Sequence, residues 1–148
     1  MTPLVRHVSF LRAAAGAAAV ASLLAGCGSN QPHASARTQV TVREKDFRIL
    51  VAPARIAAGR VQLVVRNAGP ADHELIVVRA HRADLPLRTD GLTVNEDALE
   101  PATVATLEPA GPGAVRRVNV TLAPGSYELF CNMAGHFMGG MRAFLVVT

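Results

Sequence analysis

The sequence is short of cysteine, of lysine and of long hydrophobic runs. It has two cysteines, Cys27 and Cys131, and a single lysine, Lys45, so its other basic side chains are arginines or histidines. The apolar stretch of residues 13–25 is too short to cross a membrane stably. The excess of alanine and arginine says little about function, whereas the short apolar stretch and the few cysteines do constrain it.

Residues 1–26 are predicted to be a secretory leader. Arg6 and Arg12 precede the apolar stretch, which is the order of the charged and hydrophobic regions in a signal peptide. The stretch ends Leu24-Ala25-Gly26-Cys27 and resembles a bacterial lipoprotein signal, in which cleavage precedes a cysteine that is then acylated. We therefore expect Cys27 to be lipidated. An ordinary signal peptide cleaved nearby, with Cys27 in a flexible N-terminus, is the alternative.

The 122 residues that remain after this cleavage suit one compact domain. Loss of the leader removes two arginines and no acidic residue, which lowers the formal net charge from +4 to +2. A charge this small and scattered does not predict nucleic-acid binding. We divide the chain into the leader (1–26), a flexible polar tether with the lipidated Cys27 (27–38) and a folded domain (39–148).

The domain is predicted to be all-β. Val118 to Leu122 alternates apolar and polar residues with period two, and Val61 to Arg66 is rich in β-formers between turn residues. Leu75 to Val78 is a continuous apolar run, as expected of a strand that is covered on both sides. Several short strands with turn signals between them indicate an antiparallel β-sandwich.

Residues 80–113 are the least regular part of the domain. Four prolines interrupt them, and their one helical signal is a short turn near Asn95 to Leu99. A loop this long in a small domain is normally functional or contains structure that the pattern hides. We therefore expect a long irregular insertion that holds a short helix.

One Gly-rich loop carries a thiol, an imidazole and a thioether at equal spacings. Cys131, His136 and Met141 lie five residues apart, between the strand-like runs Tyr127–Phe130 and Arg142–Val147. Soft sulfur suits copper(I), imidazole suits copper(II), and a His₂Cys site with a weak axial methionine accommodates both states. The loop therefore lacks only a second histidine.

His73 is the candidate for that second histidine. It lies between the turn-like segment Asn67–Pro70 and the apolar run Leu75–Val78, where a ligand could sit at the mouth of a strand. Cys131 has no cysteine partner when Cys27 is lipidated, and a lone thiol in an exported protein calls for a function. These observations predict a metal site.

The chain resembles the cupredoxins, the type 1 blue copper proteins, from about Gln39 to Thr148. The resemblance is carried by Asn67-Ala68-Gly69 ahead of His73 and by Tyr127-Glu128-Leu129-Phe130-Cys131-Asn132-Met133-Ala134-Gly135-His136 followed by Gly140-Met141. The C-x₄-H-x₄-M spacing is similar to that of the rusticyanin and sulfocyanin branch. The resemblance implies a Greek-key β-sandwich and one copper ion, alternating between copper(I) and copper(II), with four ligands: His73, Cys131, His136 and Met141.

Other sulfur and imidazole groups are assigned lesser roles. Met138 is the alternative axial ligand, and Met133 is expected to pack or to lie at the surface. His33 and His81 are expected to be bystanders.

The resemblance implies an electron carrier rather than an enzyme. Redox partners are expected to dock near His136, on a low-relief apolar patch formed by Phe137, Met138 and two glycines. A multicopper enzyme needs a second copper centre, normally wired through histidines on both sides of the cysteine, and Phe130 and Asn132 occupy those positions. We expect a lipid-anchored monomer in the bacterial cell envelope, on the periplasmic side or the outer face of the cytoplasmic membrane.

Two features leave this expectation open. Glu74 follows His73 where many cupredoxins carry an asparagine that ties the two ligand loops, and a carboxylate cannot donate hydrogen bonds unless it is protonated. Asn132 is expected to take over part of that tie. The methionines near His136 also suit copper(I) and favour, as an alternative function, a copper delivery or storage protein. Cys131 counts against the alternative, because a delivery protein can use methionine and histidine alone.

Overall fold

The computed structural model describes residues 37–80 and 85–148. The predicted leader, the lipidation site Cys27, and the bystanders His33 and His81 lie outside the described residues. The described chain forms one short helix, α1 (Glu96–Leu99), a 3₁₀ turn (Glu100–Ala102) and the following nine strands: β1 (Thr38–Lys45), β2 (Arg48–Ala52), β3 (Arg55–Ile56), β4 (Gly59–Asn67), β5 (His73–Arg79), β6 (Thr103–Ala110), β7 (Val115–Leu122), β8 (Gly125–Phe130) and β9 (Arg142–Val147). Within these residues no helix is both long and apolar enough to span a membrane.

The strands form two sheets that pack face to face. Sheet A has the order β2-β1-β4-β7, and sheet B has the order β3-β9-β8-β5-β6. Most neighbours are antiparallel, but β1 pairs in parallel with β4 and β3 in parallel with β9. The predicted β-sandwich is confirmed, with sheets that are mixed rather than wholly antiparallel, because strand alternation does not reveal the direction of a partner strand.

The main core lies between the sheets and is built from alternate strand positions. In β1, Val40 and Val42 are fully buried, whereas Thr41 and Arg43 are exposed. This is the period of two that a strand imposes on its side chains. Each such valine contributes roughly 1.5–3 kcal/mol when it is fully buried. Cys131 and Met141 belong to the same core, so two predicted ligands have their positions set by its packing.

Strand β5 is covered on both faces, as its continuous apolar run predicts. Leu75 and Val77 belong to the main core, and Ile76 and Val78 belong to a second cluster on the other face of sheet B. The remaining buried members of that second cluster are Leu85, Val94, Phe130 and Phe137. Leu85 and Val94 of the insertion therefore cover sheet B together with Phe137 of the ligand loop.

The segment of residues 80–113 is more regular than its sequence indicates. It contains α1, where a short helix is predicted, and also β6, which the prolines concealed. Strand β6 is an edge strand that pairs with β5. Pro109 is tolerated there because a proline in an edge strand interrupts fewer ladder hydrogen bonds than one in a central strand.

Candidate metal centre

The predicted ligands come from strand ends that meet at one end of the sandwich, which we call the site end. His73 is the first residue of β5, Cys131 follows β8 directly, and Met141 directly precedes β9. Because β5, β8 and β9 are antiparallel neighbours, the start of β5 and of β9 lies beside the end of β8. His136 is carried by the loop between Cys131 and Met141. Sheet pairing therefore brings the two ligand segments together.

Three of the predicted ligands form a compact cluster. One ligand atom from each of His73, Cys131 and His136 lies within 4.8 Å of the others. The sulfur of Cys131 is 3.4 Å from Nδ1 of His136, and the two imidazole centroids are 5.2 Å apart. His73 and Cys131 are buried and His136 is half-buried. These residues lie close enough to form a copper site.

His73 is held with one ring nitrogen free. Its Nε2 lies 3.0 Å from Oδ1 of Asp46, whereas its buried Nδ1 has no hydrogen-bond partner among the described residues. A carboxylate that accepts the Nε2 proton leaves the Nδ1 lone pair available, which is the usual arrangement of a metal-binding histidine. A buried polar atom without a partner costs about 1–3 kcal/mol. The residues present therefore fit a metal ion, which would bind this atom.

Burial sets the protonation states of the two buried ligands. It lowers the pKa of His73, with the hydrogen bond that His73 donates to Asp46 acting in the opposite direction. It raises the pKa of Cys131, against backbone hydrogen bonds from Met133 and Glu74. The imidazole is thus kept in the neutral form that binds metals, and the metal-free site favours a thiol. Because the thiolate is the ligand, metal binding releases its proton.

The two ligand segments are linked electrostatically at Glu74. The backbone N–H of Glu74 stabilises the thiolate of Cys131, and the backbone N–H of Asn132 stabilises the carboxylate of Glu74. Burial raises the pKa of Glu74, and the Asn132 N–H acts against that rise. Glu74 thus serves as an acceptor in the link, a role that needs no proton on the carboxylate.

The side chain of Asn132 makes a different link from the expected one. Its amide bonds both backbone groups of Val94 and donates to Glu96. It therefore joins the cysteine segment to the chain before α1. Only the backbone of Asn132 contributes to the link with the His73 segment.

The turn before His73 explains the Asn-Ala-Gly signal. Asn67 is fully buried, and its amide donates to the carbonyls of Ala71 and Ala110 while its oxygen accepts the N–H of Gly69. A Cβ on Gly69 would lie 2.7 Å from Oδ1 of Asp46 and 2.8 Å from Nε2 of His73. Glycine is needed because the turn backbone packs directly against the hydrogen bond that orients the histidine.

The arginine of a buried ion pair within sheet A also bonds to sheet B beside this turn. Arg116 of β7 donates to the fully buried carboxylate of Glu44 in β1 and to the carbonyls of Leu107 and Glu108 in β6. The backbone carbonyl of Glu44 accepts the N–H of Ala68 within the turn. Removing one partner of a buried pair costs about 3–5 kcal/mol. The pair therefore helps to fix the frame on which His73 is mounted.

The two candidate axial methionines differ in burial. Met141 is fully buried, its N–H donates to the carbonyl of His136, and its carbonyl accepts the N–H of Cys131. Met138 is 54% exposed. Met133 packs against the main core. Burial beside the cluster favours Met141, and its role as axial ligand stays a prediction.

The exposed surroundings of His136 differ from the expected patch. Phe137 is buried in the second cluster, where its ring contacts Phe130, so it does not form the surface. Its place is taken by Phe47, which is 55% exposed and lies edge-on to His136 with 5.6 Å between centroids. A Cβ on Gly139 would overlap the Phe47 ring. The alternation of a strand does not extend into a loop, so the sequence pattern could not orient Phe137.

Further exposed apolar side chains lie on or beside the loop that carries His136. Leu87 and Met138 line one shallow cavity, and the carbonyl of Leu92 accepts the N–H of Gly135 in the ligand loop. Both leucines are exposed. We call Phe47, Leu87, Leu92 and Met138 the apolar site surface.

Sequence reasoning missed Asp46 and Phe47. Both belong to the turn between β1 and β2, far along the chain from the residues they contact. The available signal was Phe47 itself, an aromatic residue in a polar turn with a positive φ of 57° in the structure. Such a residue is uncommon in that conformation and indicates a local constraint.

No protein-family model and no curated protein matches the chain. Solved structures do match its fold. Auracyanin from the photosynthetic bacterium Roseiflexus castenholzii matches with a TM-score of 0.55 and 18% identity over 75% of this chain and 97% of that one. Auracyanin A, a "blue" copper protein of Chloroflexus aurantiacus, matches with a TM-score of 0.53 and 20% identity, over 74% of this chain and 99% of that one. Rusticyanin from Thiobacillus ferrooxidans matches with a TM-score of 0.56 and 15% identity, over 75% of this chain and 78% of that one. The described domain therefore has the cupredoxin fold, with a His-Cys-His cluster at the site end of its sandwich.

Proposed function

We propose that this protein is a type 1 copper protein that carries single electrons between redox partners in the bacterial cell envelope. The observation that carries the proposal is the buried cluster of Cys131 with two histidines, in which Nδ1 of His73 has no other partner among the described residues. When bound there, a copper ion supplies the ability to accept and release one electron. Met141 is proposed as the fourth, axial ligand.

The chain contributes a fixed geometry. His73, Cys131 and Met141 are each 0% exposed and are held at strand ends, so their positions are set by sheet pairing and core packing. Asp46 holds the ring of His73, and the pairing of β5 with β8 holds the two ligand segments in register. A site held in this way changes little between oxidation states, which keeps the reorganisation on electron transfer small.

Access to the site is proposed to run through His136. Its imidazole is the half-buried member of the cluster, and Phe47 of the apolar site surface lies against it. The other predicted ligands are fully buried and therefore shielded from water. The imidazole ring of His136 alone separates the cluster from solvent. An exposed apolar surface around a buried reactive group suits brief docking of protein partners. The donor and acceptor are proposed to dock there one at a time, on a monomer.

Export and anchoring complete the proposal. They are supported by the sequence alone, through the leader and Cys27. A lipid on Cys27 would keep the carrier at a membrane surface in the cell envelope, with the tether between the lipid and β1.

Electron carriage is tested against copper delivery by protein-film voltammetry of the copper-loaded full chain, followed by a challenge of its reduced form with a copper(I) chelator. We expect one reversible one-electron wave and copper that stays bound through repeated cycles. Rapid loss of copper(I) to the chelator after reduction would contradict the electron-carrier function and favour delivery.

A further inference from the structure

The outward face of sheet A carries cations and no acidic side chain. Outward positions alternate with the buried core positions of β1, β2, β4 and β7, and Glu44, the acidic residue of these strands, points inward and is fully buried. Six exposed basic residues occupy the outward positions, and we call them the basic face: Arg43, Lys45, Arg48, Arg60, Arg66 and Arg117.

Strand register places several of these cations side by side. Arg43 lies opposite Arg66 across the β1–β4 pair, and Lys45 lies opposite Arg48 across the β1–β2 pair. Like charges directly opposite each other on a sheet are destabilising. None of the ion pairs between described residues includes a member of the basic face. The free protein therefore has a concentration of positive charge that an anionic partner would relieve.

The exposed acidic residues lie on other elements. Asp90, Asp97 and Glu100 belong to the insertion around α1, Glu108 belongs to β6 of sheet B, and Asp72 lies in the turn between β4 and β5. The small net charge of the chain thus conceals a separation of charge between sheet A and the cover of sheet B. A protein with separated charge is oriented by the field of a charged surface before contact is made.

We propose that the basic face lies on an anionic lipid bilayer. The cations are spread along the sheet, from Arg60 near the start of β4 to Lys45 at the end of β1. Strand β4 has nine residues, which corresponds to roughly 30 Å at about 3.3 Å per residue. Cations spread over this length on one face can contact several lipid phosphates at once, and guanidinium groups bind phosphate oxygens in pairs.

The apolar side chains of this face also favour a bilayer surface over a protein partner. Leu50 and Val115 are the large apolar residues exposed there, at 52% and 41%. Protein interfaces have an apolar core enriched in aromatic residues and methionine. Those residue types occur instead on the apolar site surface, as Phe47 and Met138. The two surfaces are therefore suited to different partners.

The chain path is compatible with this orientation. Strand β1 starts at Thr38, eleven residues after the proposed lipid on Cys27, a distance that spans at most about 40 Å when extended. The parallel strands β1 and β4 both run toward the site end, so the site end lies at one edge of the basic face. With that face on the bilayer, the apolar site surface stays open at the side of the domain. This inference uses the proposed export but does not depend on copper.

Arginine labelling on vesicles tests the inference. The full chain is reconstituted into vesicles of phosphatidylcholine alone or of phosphatidylcholine with phosphatidylglycerol, treated with an arginine-specific dicarbonyl reagent, and analysed by mass spectrometry. We expect Arg43, Arg66 and Arg117 to be protected only on the anionic vesicles, and to lose protection at high salt because the charges are then screened. Arg79 and Arg88, which lie outside the basic face, serve as internal controls and should be labelled equally on both vesicles.

A pair of variants with equal charge loss completes the test. The double variant Arg43→Gln with Arg66→Gln should lower the ratio of membrane-bound to free basic face, measured by the protection of Arg117 from labelling on anionic vesicles. The expected decrease is about 25-fold at low salt, at roughly fivefold per cation removed. Arg79→Gln with Arg88→Gln should leave that ratio within about twofold of the unmodified chain. Equal labelling of Arg117 on neutral and anionic vesicles would overturn the proposal. Protection by added polyglutamate, with none on anionic vesicles, would also overturn it and assign the face to an acidic protein.

Discussion

The buried and exposed halves of the site are held in different ways. The buried half, His73, Cys131 and Met141, lies at strand ends inside the main core and is fixed by sheet pairing and hydrogen bonds. The exposed half, His136 with Phe47, belongs to a loop and a turn that meet by an edge-on ring contact. His136 belongs to both properties, because it is a predicted ligand and the half-buried member of the cluster, whereas Phe47 is not a ligand. The difference teaches that the surface around His136 is separable from the metal cluster, so a substitution of Phe47 should spare metal binding.

The largest effect should come from closing the space beside His73. Gly69→Ala places a methyl group against both Asp46 and His73, so we expect copper(II) affinity to fall on the order of 100-fold. The free energy of unfolding should fall by about 1–3 kcal/mol. Chelator competition and denaturant unfolding measure the two quantities. Gly111→Ala is the matched control, since its nearest contact is the flexible carboxylate of Asp72 at 3.2 Å; equal losses in both variants would contradict the explanation.

Asp46→Asn should give the next largest effect on the buried half. The neutral amide accepts the Nε2 proton less strongly, so the orientation and basicity of His73 are weakened. We expect copper(II) affinity, measured by competition, to fall on the order of 10-fold. Asp72→Asn makes the same change at an exposed position next to His73 in sequence. If the two variants bind copper alike, the hydrogen bond seen between Asp46 and His73 has no influence on the metal.

Met141→Leu distinguishes the two candidate axial ligands. The side chains are of similar volume, so the free energy of unfolding should change by less than about 1.5 kcal/mol. Loss of a thioether ligand should change the copper(II) paramagnetic resonance spectrum and shift the reduction potential, while copper stays bound by the other three ligands. Met138→Leu should change neither property. A shift in the Met138 variant with none in the Met141 variant would reverse the assignment.

Phe47→Ala should give the smallest effect and should affect only the exposed half. We expect the visible spectrum and copper affinity to be unchanged, and the electron self-exchange rate, measured by NMR line broadening, to fall a few-fold because part of the docking surface is lost. Leu50→Ala is the control, since Leu50 is similarly exposed at 52% and lies on the basic face. A spectral change in the Phe47 variant would show that the surface around His136 is not separable from the metal cluster.

What the sequence predicted depended on how close the relevant residues lie in the chain. Cys131, His136 and Met141 share one loop, so their spacing is readable directly, and strand alternation predicted the sandwich. Asp46 lies 27 residues from His73 and meets it only after the sheets pack, so no local pattern could identify it. The basic face was missed for the same reason. Its arginines come from four strands whose order in sheet A differs from their order in the chain.

The strand within the insertion of residues 80–113 could not be predicted from the sequence for a different reason. Strand β6 contains partly exposed apolar residues and a proline. An edge strand tolerates both, because it pairs with a neighbouring strand on one side only. Its residues therefore lack the strong alternation that marks β1. Tertiary pairing with β5, rather than local propensity, determines its conformation.

The most direct test of the central claim is the visible absorption and paramagnetic resonance spectrum of the copper(II)-loaded protein, recorded beside that of Cys131→Ser. We expect an intense thiolate-to-copper absorption band with narrow copper hyperfine splitting in the unmodified chain, both absent from the serine variant. A pale, ordinary copper(II) spectrum in the unmodified chain, or the same spectrum in both proteins, would contradict a type 1 copper site.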